Sequence, residues 1–165
     1  MVEPELVPPS PVWGRMCIWA GNFRIGNFEE QHCGLSQCVE HLLDIVRILP
    51  SLDSVIFQEH NDDYIARYLC ESWYESGYNE YGEKVGLAAD MHKYRIDYGF
   101  PEMFDGPYMV FLLAVGSDSL KLLHIETSSN EVKSFMFKKE LFTGAVNSLQ
   151  EWLSAQLEEL RSKDA

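Results

Sequence analysis

The stretch VWGRMCIWAGNFRIGNF, residues 12–28, decides how this chain is read. Gly21-Asn22 puts glycine at the first central position of a two-residue loop, the signal of a type II′ turn between antiparallel strands. A turn there pairs Ala20 with Phe23 and Ile18 with Ile25 on an apolar face suited to a core. Trp19 then sits opposite Arg24 on the other face, with Arg15 and Trp13 further along the same side. A guanidinium over an indole contributes about 0.5–1 kcal/mol when exposed. The plainer reading, a rim that covers its own sheet, is preferred.

Working outward, residues 1–11 hold Pro4, Pro8, Pro9 and Pro11 and read as a flexible arm. The remaining residues, 12–165, read as one domain. Residues 29–34 read as a polar connection. Over residues 35–49, Val39, Leu42, Leu43, Val46 and Leu49 recur at helical spacing, with Ser36 as N-cap and Pro50 as the stop. Residues 54–58 fit a short strand or a loop. Asp62 is placed to cap a second helix over 63–75, with Ile65, Leu69 and Trp73 on one stripe. Residues 76–86, ESGYNEYGEKVG with the preceding glutamate, carry loop composition.

Strand signals return after that. Residues 93–98 alternate, with Tyr94, Ile96 and Tyr98 on one side. YMVFLLAV, residues 108–115, is apolar throughout, as in a strand covered on both faces. Turn residues at 116–119 and 128–131 separate it from strands over 120–126 and 132–137. A long helix over 142–161 carries Phe142, Val146, Leu149, Leu153, Leu157 and Leu160 on one stripe, with Leu149 and Leu153 expected in the core. The fold class is therefore α+β: an antiparallel sheet, made of the N-terminal hairpin and a C-terminal meander, with helices packed on one face.

Composition narrows function. The chain has 165 residues, 26 Asp+Glu against 13 Lys+Arg, and a formal net charge of -13. That field repels nucleic acid and anionic membranes and attracts basic partners. No apolar run reaches the length of a membrane span, and the acidic, proline-rich start has no secretory pattern, so a cytoplasmic location is expected. Cys17, Cys33, Cys38 and Cys70 read as reduced thiols, since no second ligand pair follows at zinc spacing.

No phosphate loop, nucleophile elbow or helical histidine pair is present, and His32, His41, His60, His92 and His124 are scattered. No cofactor is called for. Glu59-His60-Asn61-Asp62-Asp63 has the donor types for a divalent ion, but reads better as a polar loop capping a helix. The stretch 59–83 is more informative. Glu59, Asp62, Asp63, Glu71, Glu75, Glu80 and Glu83 interleave with Tyr64, Tyr68, Trp73, Tyr74, Tyr78 and Tyr81, offset by Arg67. Rigid aromatics with carboxylates suit binding to a basic protein surface. The helical part reads equally as an ordinary helix with wet acids, whereas the loop at 76–83 reads as interface. The partner-binding candidates are Glu59, Asp62, Asp63, Tyr74, Glu75, Tyr78, Glu80, Tyr81 and Glu83.

Two segments also carry a likeness. VWGRMCIWAGNFRIGNFEE with the 35–49 helix resembles the N-terminal motif of the forty-second catalogued immunity-protein family of bacterial polymorphic toxin systems. IDYGFPEMFDGPYMVFLLAVG, with its FDG before the apolar strand, is similar to that family's C-terminal half. The proline-rich arm and the Tyr-rich middle depart from the family pattern. The resemblance implies a small cytosolic inhibitor that binds one cognate toxin and performs no catalysis. A secretion adaptor for an effector is the alternative, and a small metal-dependent hydrolase using residues 59–63 is a third.

Overall fold

The computed structural model describes residues 12–29, 33–74, 92–97, 100 and 106–163. The elements in chain order are β1 (Trp13–Gly14), β2 (Ile18–Ala20), β3 (Phe23–Ile25), β4 (Cys33–Gly34), α1 (Leu35–Ile48), α2 (Val55–Glu59), α3 (Asp62–Tyr74), β5 (Tyr108–Val115), β6 (Ser119–Glu126), β7 (Val132–Lys138) and α4 (Lys139–Lys163). Short 3-10 turns at Leu49–Leu52 and His92–Tyr94 complete the set. The fold class is α+β, with every strand pair among these elements antiparallel.

The chain divides into two compact units, one holding Met1–Val46, Gly99–Gly106 and Glu140–Ala165, the other Arg47–Tyr98 and Pro107–Lys139. In the first, β2 and β3 form the expected hairpin with the expected register: Ile18 opposite Ile25, Trp19 opposite Arg24, Ala20 opposite Phe23. Gly21 has φ +64° while Asn22 does not enter the positive region, the pattern of a type II′ turn. Ala20 and Ile25 are buried, and Trp19 is 61% exposed on the opposite face.

The hairpin is shorter than the sequence suggests. Trp13 and Gly14 leave the hairpin ladder and pair instead with Gly34 and Cys33 as a separate β1–β4 ladder. The reason is local: the Leu35 N–H donates to the Val12 carbonyl at 3.0 Å, and Leu35 Cδ1 would stand 2.8 Å from a Cβ on Gly14. A side chain on residue 14 would have to push the end of Leu35 aside, so glycine suits this approach. So residues 33–34, expected in a polar connection, form a strand.

Helix α1 buries Leu35, Cys38, Val39, Leu42 and Ile45. Leu43 and Val46 from the expected stripe are half-buried. The helix begins at Leu35, so Ser36 lies inside its first turn rather than capping it, and Pro50 ends it through the 3-10 turn. His41 meets Phe100 edge-on at 4.8 Å. Helix α4 buries Val146 and Leu153, while Leu149, expected in the core, is half-buried.

The second unit is built on the β5–β6–β7 meander, which runs from Tyr108 opposite Glu126 through Val115 opposite Ser119. Met109, Val110, Phe111, Leu112, Leu113 and Ala114 are all buried, so β5 is covered on both faces as its sequence requires. Each of these side chains larger than alanine contributes about 1.5–3 kcal/mol. Asn130, at φ 57°, supplies the left-handed residue between β6 and β7, a conformation asparagine tolerates better than most.

Residues 93–98 were expected to form a strand, and the structure corrects this to a single antiparallel bridge from Arg95 to Phe111 following the 3-10 turn. The ladder stops because Asp97 takes over its hydrogen bonds. The Ile96 N–H donates to the Val110 carbonyl at 2.9 Å, but the Val110 N–H donates to Asp97 Oδ1, a side chain, at 3.1 Å. Arg95 holds that buried carboxylate through Nε at 3.0 Å and Nη2 at 2.9 Å. A parallel bridge from Asp53 to Ala114 occupies the same side of β5. Residues 54–58, open between strand and loop, are helical from Val55, and Phe57 packs edge-on against Tyr94 at 5.1 Å.

Candidate functional site

The acidic stretch begins on two elements of the second unit. Helix α2 ends at Glu59, which is exposed, and α3 follows after a two-residue break. The N-cap of α3 is Asn61, not Asp62. Asn61 Oδ1 accepts the Tyr64 N–H at 2.9 Å, and the Asn61 carbonyl accepts the Ile65 N–H at 3.0 Å. Asp62 is thereby moved into the first helical turn, where it answers the helix dipole and reaches the sheet.

Its partner is Lys121 of β6, whose Nζ donates to Asp62 Oδ1 at 2.6 Å. Partial burial alone would raise the Asp62 pKa. Hydrogen bonds from Lys121 and Ser134, with the Lys121 charge, outweigh that and hold the carboxyl below its usual value. The pair ties α3 to the sheet face that carries Lys121 and Ser134. Asp62 is therefore an acid named from sequence that is already engaged inside the molecule.

The rest of α3 divides cleanly. Ile65, Ala66 and Leu69 are buried, and Asp63, Tyr64, Arg67 and Glu71 form the exposed arc. His60 stacks on Tyr64 at 4.1 Å, which fixes an exposed aromatic platform beside Glu59 and Asp63. Tyr68 is half-buried, and burial together with nearby Tyr94 and Tyr64 pushes its phenol up. Burial likewise raises the Cys70 thiol, against the opposing effect of Arg95. Tyr74 closes α3, and its side chain lies outside the described residues, as does that of Trp73. Glu75, Tyr78, Glu80, Tyr81 and Glu83 lie outside the described residues altogether.

Sequence reasoning missed His60 and Tyr64 as a stacked pair. The signal was available: a histidine four residues before a tyrosine, across a helix start. It also missed exposed Met136, on the sheet face that carries Ser134. At the hairpin, Trp19 and Arg24 are register partners; a cation–ring contact occurs elsewhere, with Lys93 Nζ 5.0 Å from the centre of the Tyr94 ring. Among the described residues no group of three or more His, Cys, Asp or Glu is arranged to hold a metal ion. Among them, too, no helix is long and apolar enough to cross a membrane.

Comparison with curated proteins and with solved structures finds no match. The family model described as Immunity protein 42 matches residues 2–152. That span takes in both the hairpin and the meander, the two segments whose motifs suggested the likeness, and the chain belongs to the Immunity protein 42 family.

Proposed function

We propose that this protein neutralises a cognate toxin by direct stoichiometric binding, and that the outward face of α2 and α3, continued through residues 75–83, makes the contact. The observation that carries the reading is the exposed arc of Glu59, Asp63, Tyr64 and Glu71, with His60 stacked on Tyr64, on a chain of net charge -13. Membership of an immunity-protein family supports a toxin as the partner. The acidity favours a toxin with a basic surface, and no step of the inhibition calls for a cofactor or for catalysis by this chain.

The partner contact then divides by chemistry. Carboxylates steer the encounter, and aromatics hold the complex once formed. The test is binding to the toxin encoded in the adjacent reading frame, with protection of cells as a second readout. Asp63→Lys with Glu71→Lys, and Glu80→Lys with Glu83→Lys, should slow association about tenfold and flatten its salt dependence. Tyr64→Ala, and Tyr78→Ala with Tyr81→Ala, should mainly speed dissociation. Unchanged rates in all of these variants would move the interface off this face.

A further inference from the structure

Two of the four cysteines sit together. Cys33, in β4, and Cys38, in the first turns of α1, are both completely buried, and their Sγ atoms lie 3.6 Å apart in a thiol–thiol hydrogen bond. Cys17 and Cys70 are partly exposed, and among the described residues neither is set against another thiol. The sequence spacing hides this. Cys38 lies five positions after Cys33, but the chain turns from strand to helix between them, and the helix start brings Cys38 back over the end of β4.

We infer that Cys33 and Cys38 are a reversible oxidation site, a dithiol that closes to one intramolecular disulfide when the protein meets a disulfide oxidant. The sulfurs must approach by about 1.5 Å to reach bonding distance. The backbone on the Cys38 side is a helical turn and on the Cys33 side a two-residue strand, so the movement falls on the strand. The reaction is two successive exchanges with a small disulfide RSSR. One cysteine sulfur attacks RSSR and releases the first RS⁻, giving a mixed disulfide. The second cysteine sulfur then attacks the protein sulfur of that bond and releases the second RS⁻. The two thiol protons end on the two released thiolates, and RSSR is reduced by the two electrons that the cysteines lose.

Burial governs the rate. Desolvation, and the neighbouring Cys33, push the Cys38 thiol far above its ordinary range, which keeps it protonated and unreactive in the closed structure. Exchange therefore waits for local opening at β1 and β4, and the pair stays reduced wherever thiols predominate. Once formed, the bridge pins β4 to α1 beside Leu35, whose N–H already holds the Val12 carbonyl. It thus fastens the β1–β4 ladder to the start of α1.

The full-length protein is incubated with oxidised glutathione and the products are mapped by peptide mass without reduction. The expected result is a single Cys33–Cys38 bridge, two mass units lighter, with Cys17 and Cys70 still alkylated, and full reversal by dithiothreitol. The oxidised form should melt about 5 °C higher. Cys38→Ala and Cys33→Ala should each abolish the mass change, and the circular dichroism of both reports that they fold. Bridges that involve Cys17 or Cys70, or a native protein that remains fully alkylated at Cys33 and Cys38 after opening in mild urea, would overturn the assignment.

Discussion

The hairpin of the first unit and the meander of the second are both antiparallel, yet they are specified in opposite ways. Strands β5 and β6 have eight residues each; β2 and β3 have three. In the meander the register is carried by a long ladder, eight residue pairs between β5 and β6 and seven between β6 and β7, which a slip of one residue would have to break together. In the hairpin too few side chains are buried to enforce register, and Gly21 at φ +64° does so instead. Length lets a strand specify itself. A short strand borrows its specification from a turn.

That contrast makes Phe111 the place to strike hardest. It is fully buried at the centre of β5, and Phe111→Ala should lower unfolding stability by about 3–5 kcal/mol, read from denaturant midpoints. A loss under about 1 kcal/mol would mean the meander is not the self-specifying element described. Next comes the start of α3. Asn61→Ala should cost about 1 kcal/mol through the lost cap, with α3 protected less in hydrogen exchange.

Acid sharpens the same boundary. His124 is buried against Tyr108, ring centres 4.8 Å apart, and burial holds its imidazole below the usual value against the opposing pull of Glu126 and Asp97. A lowered histidine pKa means the unfolded chain binds the proton first. Stability should therefore be full above about pH 6.5 and fall as pH drops through that value. Asp62, also lowered, adds a second loss below its ordinary carboxylate value. His124→Phe should remove the first step in a pH series of melting temperatures and leave the second. The smallest effect is expected at the hairpin surface, where Trp19→Ala should change stability by no more than about 0.5 kcal/mol, since the indole is 61% exposed.

The residues that announced their structure were those whose burial or backbone requirement is local. Gly21-Asn22 and the unbroken run 108–115 carry their own constraints, so the hairpin register and the central strand were legible. The errors fall where a distant residue decides. Residues 54–58, which read as a short strand or a loop, are helical from Val55, with Phe57 set against Tyr94, thirty-seven positions further along the chain. Asp62 and Asn61 are equally good caps by type, and Lys121, fifty-nine residues on, draws Asp62 away. Arg95 bridges Phe111 for one residue only, because a carboxylate two positions later intercepts the ladder. Of the proposed contact, the face built by Glu59, Asp63 and Tyr64 was legible as acid and aromatic, while the stack of His60 on Tyr64 needed coordinates.

Asp97 has one more consequence. A free strand margin is an invitation: its unclaimed amide donors can recruit a foreign strand. On the side of β5 away from β6, the Val110 donor is already answered by a carboxylate that Arg95 neutralises. A side chain cannot propagate a sheet. The pair therefore works as a terminator, ending strand addition at this margin by occupying a donor that a second molecule would otherwise claim.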